Sequence, residues 1–454
     1  MTPNHEFKAL DVSSLYPSSL INDAFPVGKP FRAMEAELRE HFVIKEEGSF
    51  FKNQKVLGCL QVRVVCPKTL EYPFLAIPTP SGPIFSQCYK CAVLRKASPC
   101  PGHQDTDRSF EITLTTGELE KAISLGYKIC RAFEALLYTR SEKIFAKFMS
   151  VLAREKVRLS PIPMEFQGCP EEYAVHVNSE LGLSGSRALK SSDFECHPIR
   201  RYLIKLSMVS VAGKFLQRSE TAQKFVSCPE EVYRQYVEKN IVNIDSFNEE
   251  SCLVTLRKRV KKFYRARNML CGAMVIANGR ILAYDYWCKL RSFGVKVFYH
   301  DVDSFFGLFP KALSPPFTFS QVPGFLHMEF QTSTIVAFVA LGPKSYALLF
   351  KEKDGRLSEK CCCCGLSVSS DGKKILSFDL YKQHLDSFIK DCKAVTLIPQ
   401  KRKRLLLSDK WDEDKIAQFS QKFTVFSFSC NNMKKRYIDF SSTYLDTFSY
   451  GHGK

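Results

Sequence analysis

The chain of 454 residues lacks the segments that mark membrane and secreted proteins. It has no run of about 18 uncharged apolar residues, so we predict no transmembrane helix and no membrane partner. Its first residues lack the charged and then apolar profile of a signal peptide, which favours an intracellular protein. Internal repeats and low-complexity tracts are absent. The balance of 45% hydrophobic and 25% charged residues excludes a disordered or collagen-like chain.

Acidic residues are in deficit, with 47 Asp and Glu against 65 Lys and Arg, which gives a net charge of +18. Such an excess favours a polyanionic partner, with nucleic acid preferred over an anionic membrane surface. A soluble basic protein without a polyanionic partner is the alternative. The 18 cysteines, without a secretory signal, are expected to be mostly reduced thiols.

The order of the predicted elements indicates an α+β fold with several lobes. Strand-like alternation covers 42–94 and recurs after 290, and Y-H-D-V-D-S forms the tip of a predicted hairpin. Thr115 and Glu118 make a capping box at the start of a predicted helix. Helices are predicted over 115–138, 141–156, 199–216, 277–291 and 379–391, and a long connection over 158–196.

The first motif that indicates chemistry is D-V-S-S-L-Y-P-S at Asp11–Ser18, which follows a short apolar strand. An Asp at a strand end, followed by a tight turn, holds a cation while the turn's N–H groups bind an anion. An Asp that merely caps a turn is the alternative.

The second motif is Y-H-D-V-D-S at Tyr299–Ser304. Two Asp separated by one residue in a strand lie on the same face, where like charges require a metal or strong hydrogen bonds. The alternative is that one Asp lies beyond the strand, solvated in the turn.

The third motif lies on the predicted helix after Pro198. Arg201, Lys205, Val209 and Ala212 are spaced to share one helix face. Two cations on one face are suited to bind a triphosphate. A solvated basic stripe is the alternative.

Together the three motifs resemble motifs A, B and C of family B DNA polymerases, whose forms are D-x-x-S-L-Y-P-S, K-L-x-x-N-S-x-Y-G-K and Y-x-D-T-D-S. G-P-K-S-Y at Gly342–Tyr346 resembles the K-x-Y motif of the protein-primed branch. F-P-V-G-K-P at Phe25–Pro30, a C-x2-C and C-x2-H segment, and the terminal Y-L-D-T-F-S-Y-G resemble the organellar and viral type B polymerases of viruses and self-synthesising transposons.

The resemblance implies two-metal nucleotidyl transfer, with Asp11 and Asp303 as ligands of two Mg²⁺ ions and Asp301 in support. It assigns the catalytic set Asp11, Asp301 and Asp303; the nucleotide-binding set Ser13, Leu15, Tyr16, Arg201 and Lys205; and the primer-binding pair Lys344 and Tyr346. Within these sets Tyr16 is the steric gate that excludes a ribose 2′-hydroxyl.

The sequence departs from the family pattern in motifs B and C. Val209 replaces the family's Asn, Ala212 replaces an aromatic residue, and Val302 replaces Thr. Because the carboxylates are retained, we expect weakened rather than absent chemistry. Motif A lies eleven residues from the first residue, so we expect the upstream exonuclease domain to be absent and the palm to be incompletely packed.

A second metal site is predicted from cysteine and histidine spacing. Cys88 and Cys91 form a C-x2-C pair, and Cys100 and His103 form a C-x2-H pair eight residues later. Two such bidentate pairs predict one closed, structural zinc site, with reduced cysteines in a loop as the alternative. The run Cys361–Cys364 is predicted to be a strand, with a metal site as the alternative, because adjacent cysteines of a strand alternate faces and cannot all bind one ion.

Three basic runs are further candidates for contacts with DNA phosphates, at Arg257–Arg267, Lys401–Arg404 and Lys434–Arg436. A solvated face is the alternative for each, and a nuclear import signal is the alternative for Lys401–Arg404.

We therefore predict an α+β right-hand polymerase module with insertions between its motifs. Its predicted segments are palm with motif A (1–35), an insertion with the zinc site (36–140), fingers with motif B (141–217), a basic insertion (218–270), palm with motif C and K-x-Y (271–380) and thumb (381–454).

The predicted function is DNA-directed DNA synthesis from dNTPs on a DNA template and primer, or on a protein primer. The expected location is the nucleus or a viral or element replication site. The first alternative is a decayed polymerase remnant that only binds DNA. An unrelated zinc-binding nucleic-acid module is the second, and it does not account for the acidic motifs.

Overall fold

The computed structural model describes fourteen stretches of the chain and divides it into two compact units. The first unit comprises Met1–Leu216, Asn268–Ile335 and Asn432–Lys454, and the second comprises Gln217–Arg267 and Val336–Asn431. The described residues are 4–41, 56–80, 82–95, 99–216, 220–228, 241–246, 251–259, 268–311, 317–363, 376–390, 395–406, 418–429, 436–438 and 447–449.

The described helices are α1 (Leu15–Asn22), α2 (Glu35–His41), α3 (Tyr89–Leu94), α4 (Asp105–Arg108), α5 (Thr116–Ser124), α6 (Ala146–Arg158), α7 (Pro170–Glu180), α8 (Pro198–Phe215), α9 (Met269–Ser292) and α10 (Phe378–Ile389). The strands of the first unit are β1 (His5–Val12), β2 (Phe25–Val27), β3 (Phe31–Met34), β4 (Leu57–Val65), β5 (Ala76–Ile77), β6 (Ile84–Phe85), β7 (Phe110–Thr115), β8 (Lys128–Tyr138), β9 (Arg140–Glu142), β13 (Lys296–Asp301), β14 (Ser304–Pro310), β15 (Leu326–Met328), β21 (Arg436–Ile438) and β22 (Thr447–Ser449). The strands of the second unit are β10 (Glu220–Ser227), β11 (Ile241–Ser246), β12 (Cys252–Arg259), β16 (Thr334–Gly342, which starts at the end of the first unit), β17 (Ser345–Lys351), β18 (Leu357–Cys362), β19 (Val395–Leu406) and β20 (Gln418–Ser429).

A four-stranded antiparallel sheet of order β13-β14-β1-β15 carries the two acidic motifs of the first unit. Apolar side chains of β1 and β14 pack with those of α9 in one buried cluster, which includes Leu10, Val12, Ala283, Leu290 and Phe305. Each buried aliphatic or aromatic side chain of this kind contributes about 1.5–3 kcal/mol through the hydrophobic effect. The long helix thus fixes the strand that ends in the first acidic motif.

A second four-stranded sheet, of order β3-β8-β4-β7, forms a separate core with α5. The predicted capping box is confirmed, because the Thr115 hydroxyl accepts from Glu118 N and the Glu118 carboxylate accepts from Thr115 N. This arrangement satisfies two N–H groups that would otherwise lack partners at the helix start.

The predicted helix over 115–138 is wrong beyond residue 124. It ends in a Schellman motif around Gly126 at φ +87°, with N–H groups of Gly126 and Tyr127 donating to Ile123 O and Ala122 O. The rest of the segment is strand β8, whose register on β4 skips Cys130 and Phe133. These two bulges break the two-residue alternation of a strand, so the spacing of the apolar residues imitates a helix.

Two further expectations are corrected. The predicted connection over 158–196 contains α7, which has Pro170 at its start and buries Tyr173, Ala174 and Val177 at helical spacing. The helix predicted over 277–291 begins earlier, at Met269, where the Asn268 side chain accepts from Cys271 N. The helices predicted over 199–216 and 379–391 are confirmed within one or two residues of their ends, whereas the helix predicted over 141–156 begins only at Ala146, after strand β9 (Arg140–Glu142).

Three sheets are found among the described residues of the second unit, of order β10-β12-β11, β16-β17-β18 and β19-β20. Its described core joins Val339, Leu341 and Ala347 to Leu376 and Tyr381 of the α10 region. Cys361 and Cys362 end β18, as predicted for that segment, and Cys364 lies outside the described residues.

The α+β class is confirmed by this mixture of helices and sheets. Among the described helices, none combines the length and apolar character needed to cross a bilayer.

We expect Gly58→Ala to destabilise the first unit strongly. A Cβ added at Gly58 would lie 2.0 Å from Leu136 O and 3.0 Å from Leu137 Cα on the paired strand β8, where only backbone could yield. The expected loss is about 1–3 kcal/mol or more. The matched control is Gly213→Ala, which meets no atom within 4 Å and gains up to about 1 kcal/mol of helix propensity. Thermal and urea midpoints measure both changes, and equal midpoints for the two variants would contradict the expectation.

Candidate active site and candidate zinc centre

Asp11 is the last residue but one of β1, the strand that pairs on both sides in its sheet. Its Cα partners are Ser304 on β14 and His327 on β15. The predicted position at a strand end is therefore confirmed. The pairing also brings the strand end beside the β13–β14 turn, which holds the second acidic motif.

The second acidic motif forms a two-residue hairpin turn. Asp301 ends β13, Val302 and Asp303 form the turn, and Ser304 starts β14. Asp303 N donates to Asp301 O at 2.7 Å around Val302, which has φ +61°. This conformation is strained for a β-branched residue. The predicted hairpin with an acidic tip is confirmed, whereas the expectation that both Asp lie on one strand is wrong, since Asp303 lies in the turn.

A backbone hydrogen bond holds this turn against β1. Val12 N donates to Asp303 O at 2.8 Å, so the residue after Asp11 is tied directly to Asp303. Asp303 is half-buried rather than fully solvated. The two acidic motifs, which lie far apart in sequence, therefore meet at one edge of the sheet.

The carboxylate of Asp11 lies in an environment short of positive charge. Burial, and then repulsion from Asp303 and Glu329, raises its pKa to about 7, although Lys205 and Lys156 act in the opposite direction. A divalent cation would offset this burial and charge repulsion, and carboxylate oxygens are ligands that Mg²⁺ prefers. The donor set of the site thus fits the metal that the resemblance implies.

The α8 helix carries the two predicted phosphate contacts. Lys205 is exposed and acts electrostatically on Asp11. Arg201 is half-buried, and its guanidinium donates to Ser160 Oγ at 2.8 Å and to Gln321 Oε1 at 3.2 Å. Burial lowers the pKa of Arg201. Lys205 therefore faces the site freely on its helix, whereas Arg201 is held by neighbouring side chains.

The turn after Asp11 is compact and buried. Ser13 N donates to Phe325 O at 2.8 Å, and Ser13 O accepts from Gly324 N at 2.7 Å. Ser14 adopts φ +48° as the residue before α1, and its buried hydroxyl has no hydrogen-bond partner. Leu15 is buried in the core below the turn. The N-terminus of α1, where N–H groups lack partners within the helix, follows directly from this turn.

Tyr16 lies against the backbone of α9. A Cβ added at Gly279 would come within 3.1 Å of Tyr16 Cδ1 and Cε1. Glycine in the middle of a helix costs about 1 kcal/mol relative to Ala. The missing Cβ of Gly279 permits the close approach of the Tyr16 ring to α9, so Gly279 sets the position of the predicted sugar gate.

The two departures from motif B lie in different surroundings. Val209 is 40% exposed, so the missing amide of the family pattern leaves no buried partner unpaired at this position. Ala212 is buried in the core with Met208 and Met274. The helix face predicted to carry Lys205, Val209 and Ala212 is therefore exposed at Lys205 and Val209 and buried at Ala212.

The predicted primer contacts lie in the second unit. Lys344 has φ +55° in the turn between β16 and β17, and Tyr346 follows in β17 with its ring 6.0 Å from that of Phe338. Their role remains a prediction. The basic runs at Arg257–Arg267, Lys401–Arg404 and Lys434–Arg436 fall wholly or partly outside the residues whose side chains the structure describes.

Four residues of the site carried no sequence signal: Lys156, Gln321, His327 and Glu329. His327 Nε2 lies 3.8 Å from Asp11 Oδ2. Burial, together with Lys156, Arg201 and Lys205, lowers the pKa of His327 to about 3, so it is neutral at pH 7. Glu329 lies two residues after His327, just beyond the end of β15. Such polar alternation in a sequence is equally common on exposed strands, so it could not identify these two residues as part of a site.

The four predicted zinc ligands meet at the start of α3. The Sγ atoms of Cys88, Cys91 and Cys100 lie 3.3, 3.5 and 3.6 Å from Nδ1 of His103. Among the residues that the structure describes, this is the only group of three or more His, Cys, Asp or Glu with ligand atoms within 4.8 Å of one another. Ordinary Zn–S and Zn–N bonds at a tetrahedral angle separate S and N by about 3.6 Å.

Charge distribution also suits a metal at this cluster. Burial raises the pKa of the Cys88 and Cys91 thiols. The pKa of Cys100 is lowered because, against the effect of its burial, the N–H groups of His103 and Gly102 donate to its sulfur. The donor set, three thiols and one imidazole that all belong to the protein, fits a structural Zn²⁺, which binds thiolates and releases their protons.

Residues 2–162 match the family model described as DNA polymerase type B, organellar and viral. No curated protein matches the chain. The resemblance to type B polymerases is confirmed over this segment, which holds the Asp11 turn and the zinc ligands. Its extension to motifs B and C stays a prediction.

Among solved structures, the chain is similar to Phi29 DNA polymerase. The ternary complex with primer-template DNA and incoming nucleotide substrates has TM-score 0.48 and 12% identity, over 93% of this chain and 58% of that one. An orthorhombic crystal form of Phi29 DNA polymerase has TM-score 0.47 and 14% identity, over 83% and 53%. The chain thus spans little more than half the length of that polymerase.

We expect metal analysis of the purified chain to find about one zinc per molecule. Cys88→Ser should abolish it, because three remaining ligands bind far more weakly than four. Cys130→Ser is the matched control, since this exposed thiol lies on β8 outside the cluster, and it should retain the zinc. Absence of zinc from the wild type, or equal zinc in both variants, would refute the site.

Proposed function

We propose that this chain carries the polymerase module of a DNA-directed DNA polymerase. It would add deoxynucleotides to a primer 3′-hydroxyl on a DNA template, and release pyrophosphate. The observation that carries the proposal is the tie between the acidic motifs: Val12 N to Asp303 O at 2.8 Å, beside a buried Asp11 with raised pKa. The family match over residues 2–162 supports it.

In the proposed reaction, the primer 3′-hydroxyl gives its proton to water and its oxygen forms a bond to the α-phosphorus, while the bond from that phosphorus to the oxygen bridging to the β-phosphate breaks and pyrophosphate leaves. Asp11 and Asp303, with Asp301 in support, would hold two Mg²⁺ ions, which polarise the 3′-hydroxyl and neutralise charge on the leaving pyrophosphate when bound. The carboxylates of this chain fix where that charge is neutralised, because β1 and the hairpin turn are locked together.

Nucleotide binding is assigned to the rim of the same edge. The backbone N–H groups at the start of α1, from Leu15 onward, suit phosphate oxygens, whereas Ser13 N already donates to Phe325 O. Lys205, exposed on α8 and electrostatically coupled to Asp11, would supply a cation for the triphosphate. Arg201 would join it only after leaving Gln321 and Ser160. Neutral His327 adds no charge and fills the space behind Asp11.

The remaining assignments follow the resemblance. The proposed module has palm, fingers and thumb divided as in the sequence prediction, with α6 and α8 in the fingers. Lys344 and Tyr346 would hold the primer terminus, and the basic runs would contact DNA phosphates without reading sequence. The zinc centre would stabilise the segment between motifs A and B. A protein primer and a replication site in the nucleus or a virus are part of this proposal.

Primer extension with the purified chain, Mg²⁺ and four dNTPs should produce longer products. Asp303→Ala should abolish them, because it removes a metal ligand from the turn. Asp354→Ala is the matched control, since this exposed carboxylate in the β17–β18 turn has no assigned role, and it should extend like the wild type. Salt-sensitive DNA binding without any extension would instead support the alternative, a remnant that only binds DNA.

The sugar gate has its own test. Tyr16→Ala should raise the ratio of ribonucleotide to deoxynucleotide incorporation by about tenfold or more, because nothing then occupies the space under the 2′-carbon. Tyr16→Phe keeps the ring against Gly279 and should keep the wild-type ratio. The ratio is measured as kcat/KM for each nucleotide at a single template position. An unchanged ratio in Tyr16→Ala would remove the gate from this residue.

A further inference from the structure

Lys156 is a buried lysine that the proposed mechanism does not use. It lies in the last turn of α6 with 1% of its side chain exposed. Its Nζ donates to Ser13 Oγ at 2.5 Å and to Gln321 O at 2.9 Å, and neither partner is a carboxylate. Lysine is almost never fully buried without an ionic partner, because removing the amine from water is costly. The acidic group that acts on Lys156 is Asp11, which places this buried lysine beside the candidate site.

Gln321 is the shared partner of four residues from four parts of the first unit. Its carbonyl accepts from Lys156 and from Ser13 Oγ at 2.8 Å. Its side-chain oxygen accepts from Arg201, and its N–H donates to Tyr173 OH at 3.3 Å. Gln321 is itself 4% exposed, so each of these bonds is shielded from competing water.

The network closes on itself through Ser160. The Ser160 hydroxyl accepts from Arg201 Nε at 2.8 Å and donates to Lys156 O at 2.6 Å. Lys156, Gln321, Arg201 and Ser160 thus form a closed ring that joins α6, α8 and the loop before β15. Ser13, two residues after Asp11, is attached to this ring at two points.

Ser13 is the point at which the ring meets the proposed nucleotide site. Its backbone is held by Gly324 and Phe325, and its hydroxyl is oriented by Lys156, which acts as donor while the hydroxyl donates to Gln321. The next residue, Ser14, takes φ +48° and leads into the N–H groups of α1. A turn with this strained residue keeps its geometry only where surrounding bonds determine it.

We infer that Lys156 is a positioning residue for the nucleotide: acting through Ser13, it fixes the turn after Asp11 so that the N–H groups at the start of α1 meet the triphosphate. The inference rests on the proposed function. In this inference Lys156 lies behind the turn and does not contact the substrate. The backbone carbonyl of Gln321 is the acceptor to which both Lys156 and Ser13 donate. Loss of Lys156 should weaken nucleotide binding more than it slows the chemical step.

Single-nucleotide insertion by the full chain tests this, with Mg²⁺ and primer-template DNA. Lys156→Met should raise the KM for the dNTP by about tenfold or more, as expected for loss of a buried hydrogen bond whose acceptors are left without it, and kcat should change less. Ser13→Ala should act in the same direction. In the Ser13→Ala background, Lys156→Met should add nothing further, because the lysine acts through that hydroxyl.

Lys121→Met is the matched control. Lys121 lies on α5 in the same unit and pairs with Asp285, away from the ring, so its loss removes a partly buried lysine without touching Ser13. Its KM should equal that of the wild type. If Lys156→Met fails to fold, judged by circular dichroism and melting temperature, the cycle is run with Lys156→Gln, which keeps a donor near both acceptors and should give a smaller rise in KM.

Two results would overturn the inference while leaving the proposed function intact. One is a wild-type KM in the folded Lys156 variant. The other is a double variant whose rise in KM equals the product of the rises in the two single variants, because the two substitutions then act independently. A wild-type chain that extends no primer would overturn the proposed function, and the inference with it.

Discussion

The hydrogen bond from Val12 N to Asp303 O is the constraint on which the candidate site depends. It joins the end of the first described strand to a turn nearly three hundred residues later in the chain. The register of β1 on β14 sets it, because Asp11 pairs with Ser304 and the turn must then lie beside Val12. A one-residue slip would turn the Asp11 side chain to the opposite face of the sheet. The buried cluster between β1, β14 and α9 opposes such a slip.

Charged residues from separate elements act on Asp11. Burial, and then repulsion from Asp303 and Glu329, raises its pKa, and the opposite effect of Lys205 and Lys156 is smaller. Burial, and then repulsion from Arg201 and Lys205, lowers the pKa of Lys156 well below its usual range. Asp11 is therefore left short of positive charge. This is consistent with a site whose charges are completed by metal ions and a nucleotide.

The departures from motif B alter packing more than polar contacts. Ala212 lies in the core of α6, α8 and α9, where a larger side chain would need space that Met208 and Met274 occupy. Val209 is partly exposed to solvent, so its apolar side chain leaves no buried polar group without a hydrogen-bond partner. The zinc ligands form a separate cluster with its own small core.

The sequence by itself determined the features that depend on neighbours along the chain. The capping box at Thr115, the Asp11 turn, the hairpin around Val302 and the paired ligands from Cys88 to His103 all follow from spacings of a few residues. Tertiary structure alone decided the rest. Strand β8 imitated a helix because two bulges, at Cys130 and Phe133, arise only when it pairs with β4. The ring that holds Ser13 was invisible for the same reason: Lys156 and Gln321 reach it from 143 and 308 positions away, where no local spacing carries information.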